Sequence, residues 1–309
     1  MTNNRRRAFV AAQWLFAAII IWSAVRALNG QWRLAADRLA TLQIGWTWVG
    51  LATLIVFLTY VLLIETWRRV LLASGETLSF PVAARIWFVS NLGKYVPGKV
   101  WSIAAMTVMA RSESVSPMTA AGSSILIQLV TIAAGIGVVL AAGSRVVDQP
   151  WIAVVVLVVV IGSIAAAPRL LPASARLAAT VTGKEIQLSR ITATTVWAAA
   201  LRSVISWIAY GVAFQFFVHG ILGSAAGPTT SYIAVYAASY IIGFLALFAP
   251  GGAVVRESAL VTGMVKLGLS GRADALAIAI ASRLWLTILE LLPGLFFLAM
   301  RKPASRPIQ

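Results

Sequence analysis

The chain contains a series of apolar runs, each about 18 residues or longer, separated by short polar and basic segments. The first is Ala8–Val25, which follows three arginines, and the next is Trp46–Leu63. Only 11% of the residues are charged and 60% are hydrophobic, whereas about a quarter of the residues in a soluble domain are charged. These runs predict an all-α polytopic membrane protein.

The basic residues are concentrated in the segments between the apolar runs, and the formal net charge is +16. In a soluble protein this charge would indicate nucleic acid, but in a membrane protein it is typical of cytoplasmic loops. We therefore expect lipids with anionic headgroups as partners and no nucleic acid. The chain has no cysteine and a single histidine, His219, so no metal site or cofactor is expected.

The charge distribution predicts about six full spans, with both termini in the cytoplasm and the chain in the cell (inner) membrane. The predicted surface helix Gln31–Leu42 follows the first span, and the basic segment Arg169–Arg190 forms a cytoplasmic loop. The four later spans are Pro117–Leu140, Trp151–Ala166, Thr192–Phe217 and Ala275–Met300.

Two apolar segments are each interrupted by a Pro-Gly pair. Pro97-Gly98 lies in Asn91–Trp101, and Pro250-Gly251 lies in Leu247–Glu257. Proline cannot donate a helical hydrogen bond, and glycine permits backbone angles that other residues avoid. One helix is therefore predicted to end near Tyr95 and another to begin near Val100, with the same arrangement at the second pair. Each interrupted segment is predicted to be a re-entrant pair of half-helices.

The order span, span, broken pair, span occurs twice, which predicts two pseudo-repeats at about 8–141 and 150–300 within a single transmembrane domain. The first begins inside the cell and the second outside, so the repeats are inverted. Matching breaks in the two halves of a transporter point to its substrate site. The predicted substrate-binding residues are Lys94, Tyr95, Pro97, Gly98, Lys99, Trp101, Pro250, Gly251, Gly252, Arg256 and Glu257.

Charged residues inside a membrane are costly and tend to mark pathways. Lys94 and Lys99 either bind a lipid phosphate or extend to the cytoplasmic headgroups. Arg256 and Glu257 either bind a headgroup or form a structural salt bridge.

A possible charge relay consists of three further residues of the spans. Arg283 and Glu290 share a helix face about 10 Å apart, so each needs a partner on another helix. For Glu290 we expect Arg256 or Arg202, although Arg202 can also extend inward to the headgroups. Gln128 is expected to form a hydrogen bond between helices.

The residues around both breaks resemble the lysylphosphatidylglycerol synthase transmembrane-domain family, also called flippase-like. The resemblance is carried by residues 92–101, LGKYVPGKVW, and residues 250–257, PGGAVVRE, where Ala253 and Val254 occupy positions that are often small or glycine. This family includes the membrane half of the multiple peptide resistance factor, which aminoacylates phosphatidylglycerol and flips the product. Because this chain ends at Gln309, directly after the last predicted span, the resemblance implies the translocating part without the soluble synthase domain.

The resemblance implies a translocase that moves an anionic or aminoacylated phospholipid, or a polyprenyl-linked lipid, between leaflets. The alternatives are an integral-membrane glycosyltransferase that uses a lipid carrier and a scaffold for such an enzyme. No catalytic motif is visible, so we expect no enzymatic activity, although Glu65, Glu76 and Glu113 are candidates for an acidic site. A separate lipid-modifying enzyme and a second copy of the chain are the expected protein partners.

Overall fold

The structure is a computed structural model that describes residues 43–95, 101–143, 150–182, 191–246 and 254–300. The predicted first span Ala8–Val25 and the predicted surface helix Gln31–Leu42 lie outside these residues. The described part of the chain consists of nine α-helices and one short 3-10 helix, with no strand. The helices are α1 (Trp46–Ala73), α2 (Phe80–Asn91), a 3-10 helix (Leu92–Tyr95), α3 (Trp101–Arg111), α4 (Pro117–Ala142), α5 (Pro150–Thr182), α6 (Ala193–Leu222), α7 (Thr229–Leu245), α8 (Val255–Lys266) and α9 (Arg272–Ala299).

Five of the described helices, α1, α4, α5, α6 and α9, are long and apolar enough to cross a membrane. They coincide with five of the six predicted spans. On α5, the side chains of Val154 and Val158 are 60% and 63% exposed. An exposed apolar face of this kind is stable in lipid and would promote aggregation in water. The fold is therefore that of a polytopic helical membrane protein.

Two helices extend well beyond their predicted ends. Helix α1 continues ten residues past Leu63 because Glu65 binds Arg68 and Arg69 one turn further along, at 2.6 and 2.8 Å, which stabilises a helix outside the bilayer. The predicted cytoplasmic loop Arg169–Arg190 is wrong in its first part, since α5 continues to Thr182. This stretch is rich in alanine and leucine, which are strong helix formers.

Helices α2 and α4 each begin directly after a serine. Ser79 precedes α2, and Pro81 lies in its first turn, where proline has no helical hydrogen bond to lose. Ser116 precedes α4, where its hydroxyl accepts a hydrogen bond from the Thr119 amide. These starts set where the polar connections end and the membrane helices begin.

The helices of the two predicted halves interlock. Helix α1 packs along α6, α2 packs against α9, and α4 packs against α7. Two tryptophans also link helices, since the Trp207 indole donates to the Thr131 carbonyl at 2.8 Å and the Trp285 indole donates to the Thr53 hydroxyl at 2.9 Å. A large part of the core therefore lies between the two halves.

Close contact between α6 and α7 depends on Gly211. A Cβ atom at this position would lie 2.4 Å from the Cα atom of Ile233. Because a backbone atom cannot rotate away, we expect Gly211→Ala to lower the free energy of unfolding by about 1–3 kcal/mol. Thermal unfolding in detergent measures the effect. Gly162→Ala is the control, because no atom lies within 4 Å of its Cβ position, and an unfolding temperature shared by both variants would contradict the prediction.

Candidate functional site

A cavity of about 460 Å³ lies at mid-depth among the spanning helices. Its lining includes Tyr60 of α1, Gln128 of α4 and Tyr210 of α6, each near the middle of its helix. A helix rises 1.5 Å per residue, so these three residues lie within about 4 Å of the midpoints of their helices. Gln128, for which an interhelical hydrogen bond is predicted, lies on the cavity wall.

Four of the predicted site residues line this cavity: Lys94, Arg256, Arg283 and Glu290. Glu257 lies beside it and contacts Arg283. Arg202 does not line it, and Trp101 at the start of α3 is 43% exposed. Tyr95 is the last residue of the 3-10 helix. The remaining predicted residues lie outside the described ranges, namely Pro97, Gly98, Lys99, Pro250, Gly251 and Gly252.

The described helices end before each Pro-Gly pair and begin again after it, as predicted. Helix α2 with its 3-10 extension packs against α3, and α7 packs against α8. Each pair has a glycine at its closest approach. A Cβ atom on Gly93 would lie 2.8 Å from the Ser102 amide nitrogen, and one on Gly243 would lie 2.6 Å from the Arg256 Cβ atom. Both helix pairs are therefore packed too tightly for a larger residue at these positions.

Val254, directly before α8, has a φ of 70°. This backbone conformation is strained for a β-branched residue and is easily adopted by glycine. The observation gives a physical reason for the small residues that often stand at this position in the family that the sequence resembles.

Two ion pairs join α9 to the two broken helix pairs. The Lys94 ammonium binds the Glu290 carboxylate, and Arg283 lies 3.7 Å from the Glu257 carboxylate. The Lys94 side chain is 28% exposed and lines the cavity. The Glu290 carboxylate thus pairs directly with Lys94, and the predicted interaction between Glu290 and Arg256 is present as a longer-range electrostatic attraction. The expectation that Arg283 and Glu290 each have a partner on another helix is confirmed.

Reversing one charge of the Lys94–Glu290 pair tests its contribution. We expect Lys94→Glu to lower the unfolding temperature, because it places two carboxylates together in a partly buried site. The exchanged variant with Lys94→Glu and Glu290→Lys is expected to recover at least half of the loss. Thermal unfolding in detergent gives both values. No recovery in the exchanged variant would show that the pair does not act as a unit.

Arg256 is held by aromatic rings. The residue is only 7% exposed, and its guanidinium carbon lies 5.4 Å from the Tyr236 ring centroid and 5.2 Å from that of Tyr240. These distances are typical of cation–π contacts. Its buried Nη2 atom has no hydrogen-bond partner among the described residues. The guanidinium therefore keeps donor capacity toward the cavity.

Sequence reasoning missed the aromatic wall of the cavity. Tyr60 contacts Trp87 at 5.3 Å and Tyr210 at 6.4 Å between ring centroids, and Tyr210 stacks on Tyr236 at 5.6 Å. The signal that could have found it is the four-residue spacing of Tyr236 and Tyr240, which puts both rings on one face of α7. These rings give the cavity an amphipathic surface, with apolar faces and polar hydroxyls.

The acidic residues considered for an enzymatic site lie elsewhere. Glu65 is bound by the two arginines of its own helix. Glu76, in the connection after α1, accepts a hydrogen bond from the Ser116 amide at 3.1 Å. Neither these two residues nor Glu113 line the cavity. Glu65 and Glu76 thus contribute to the helix ends and their connections.

Comparison with known protein families gives a match that covers almost all of the described helices. The family described as the lysylphosphatidylglycerol synthase TM region matches residues 9–294. No curated protein matches the chain. The matched range contains every charged residue of the cavity and all the described helices except the last residues of α9. The chain therefore belongs to the lysylphosphatidylglycerol synthase TM-region family.

Proposed function

We propose that this protein moves a lipid with an anionic headgroup between the two leaflets of the cell membrane. Family membership indicates a function related to membrane lipids. The observation that carries the proposal is the polar cavity at mid-depth, where Lys94, Arg256, Arg283 and Glu290 meet. Ionised groups in this location are costly, and in membrane proteins they tend to mark a substrate path.

In this mechanism the lipid headgroup crosses through the cavity while its acyl or prenyl tails stay in the surrounding lipid. The Arg256 guanidinium donates to the phosphate, and Lys94 approaches the phosphate when it leaves Glu290. Charge-assisted hydrogen bonds of this kind replace the water that the headgroup loses. Glu257 and Glu290 balance the positive charges while the cavity is empty.

The packing of the helices supports an inverted repeat. If α1–α4 correspond to α6–α9, then the contact of α2 with α9 matches that of α7 with α4. In the same way α2 on α3 matches α7 on α8, and α3 on α4 matches α8 on α9. We propose that the two broken pairs enter from opposite leaflets as re-entrant segments, with both termini in the cytoplasm. This arrangement gives each leaflet its own access to the cavity.

Filling the cavity tests the proposed path. The purified protein is reconstituted into vesicles that carry an acyl-labelled phosphatidylglycerol, and dithionite reports which labels reach the outer leaflet. We expect the protein to accelerate exchange and Gln128→Trp to abolish the acceleration. Leu129→Trp is the matched control, since Leu129 is on the same helix and is 61% exposed. Equal rates in both variants, or no acceleration by the unmodified protein, would contradict the proposal.

A further inference from the structure

Tyr60 carries a buried hydroxyl group that has no hydrogen-bond partner. The residue lies on α1 and is only 2% exposed, and its Oη atom forms no hydrogen bond with any described residue. A buried tyrosine hydroxyl usually has a partner, because an unsatisfied polar group loses its hydration without compensation. A phenylalanine would fill nearly the same space without this cost. The hydroxyl therefore adds no hydrogen bond to the fold in this state.

The ring that carries this hydroxyl is fixed by other aromatic side chains. Its centroid lies 5.3 Å from that of Trp87 and 5.7 Å from that of Phe88, and the Phe88 contact is edge-on. Aromatic contacts of this kind have a preferred geometry, so they set the direction of the C–O bond. A group that is oriented before its ligand arrives loses little conformational freedom on binding.

The Tyr60 side chain belongs to the wall of the cavity. Its hydroxyl is near enough to the Glu290 carboxylate and to the Tyr210 hydroxyl to interact with them electrostatically. Glu290 in turn binds Lys94. Under the proposed mechanism this ion pair separates when a headgroup enters, so the surroundings of the Tyr60 hydroxyl change at the same step.

From these observations we infer that Tyr60 is a substrate-binding residue, whose hydroxyl donates a hydrogen bond to an oxygen atom of the lipid headgroup while the headgroup occupies the cavity. The inference rests on the proposed translocation and adds a neutral donor to its charged residues. A charge attracts an anion from any side, whereas a hydrogen bond requires the acceptor to lie near the direction of the O–H bond. The hydroxyl thus orients the headgroup that Lys94 and Arg256 attract.

The variant Tyr60→Phe tests this role because it removes one oxygen atom and keeps the ring. Exchange of acyl-labelled phosphatidylglycerol is measured in vesicles with dithionite, and thermal unfolding is measured in detergent. We expect exchange to slow at least about fivefold, because a hydrogen bond to a charged group is lost. The unfolding temperature is expected to stay equal or to rise, since no hydrogen bond within the protein is removed.

Tyr232→Phe is the matched control, with the opposite expected result. Tyr232 is also fully buried, but its hydroxyl donates to the Ala226 carbonyl at 2.8 Å, and the residue does not line the cavity. Loss of this hydrogen bond is expected to lower the unfolding temperature. Exchange by the folded protein is expected to match that of the unmodified protein.

A binding measurement separates the contact with the ligand from the later steps of transport. Addition of phosphatidylglycerol to the protein in detergent is expected to raise the unfolding temperature, since a ligand stabilises the state that binds it. The concentration that gives half of this rise is expected to be at least about fivefold higher for Tyr60→Phe than for Tyr232→Phe. Equal half-saturating concentrations would overturn the inference.

The outcomes distinguish the inference from the proposed function. If the unmodified protein does not accelerate exchange, the proposed function fails and the inference fails with it. If it does and Tyr60→Phe is equally fast, the function stands and the inference is overturned. Slower exchange together with a lower unfolding temperature in Tyr60→Phe assigns the hydroxyl to the fold and overturns the inference as well.

Discussion

Replacement of Arg256 by alanine is expected to slow exchange of phosphatidylglycerol by about 10- to 100-fold, since a hydrogen bond to a charged group contributes about 1.5–3 kcal/mol. The guanidinium is buried against two tyrosine rings and has an unused donor. Its charge and its donors are therefore available to a phosphate without the loss of an internal ion pair. Vesicle exchange with the acyl-labelled lipid measures the effect.

A graded series distinguishes the charge from the shape of the side chain. Arg256→Lys keeps the charge but loses the planar arrangement of donors, so an intermediate rate is expected. Arg202→Ala is the control, because it removes an arginine of α6 that does not line the cavity. The unfolding temperature of each variant must be compared, since Arg256 also packs on α7. Equal rates for Arg256→Ala and Arg202→Ala would remove Arg256 from the path.

A methyl group at Gly243 is expected to impair both stability and transport. The added Cβ atom would lie 2.6 Å from the Arg256 Cβ atom and 3.2 Å from its Cα atom. Neither atom can move without a shift of α8, so Gly243→Ala is expected to cost about 1–3 kcal/mol. The shift also displaces the guanidinium from the rings of Tyr236 and Tyr240. Thermal unfolding and vesicle exchange measure the two consequences.

The matched control is Gly50→Ala on α1. No atom lies within 4 Å of the Cβ position of Gly50, and alanine is favoured over glycine within a helix by about 1 kcal/mol. We expect this variant to be at least as stable as the unmodified protein and equally active. A Gly243→Ala protein with normal stability and normal exchange would contradict the prediction. It would show that the α7–α8 contact can accommodate a methyl group despite the short interatomic distances.

Much of the architecture could be predicted from sequence because the bilayer imposes a length and a polarity on each helix. Apolar runs located five described spans, and Pro97 and Pro250 marked the places where helices end and begin again. Helix ends that lie outside the apolar runs were harder to predict. The Glu65 ion pairs extend α1, and alanine-rich sequence extends α5; neither effect is part of a membrane signal.

The charged residues that line the site could be predicted better than the ion pairs that they form. Charged residues in membrane spans are rare because they are energetically costly. This cost alone was enough to identify four residues as candidates: Lys94, Arg256, Arg283 and Glu290. The pairing of Lys94 with Glu290 joins residues far apart in sequence, and it depends on how α2 docks on α9. The same holds for the Tyr60–Tyr210 contact between α1 and α6. Such contacts follow from tertiary packing, which a single sequence does not reveal.

Helix α9 is linked by ion pairs to both broken helix pairs. Its Glu290 is tied to the first pair and its Arg283 to the second, two turns apart on one rigid segment. A rotation of this segment would strain both ion pairs at once, so under the proposed mechanism the openings toward the two leaflets are coupled. Pro293 removes one backbone hydrogen bond just beyond Glu290, so we expect α9 to bend most easily near that end.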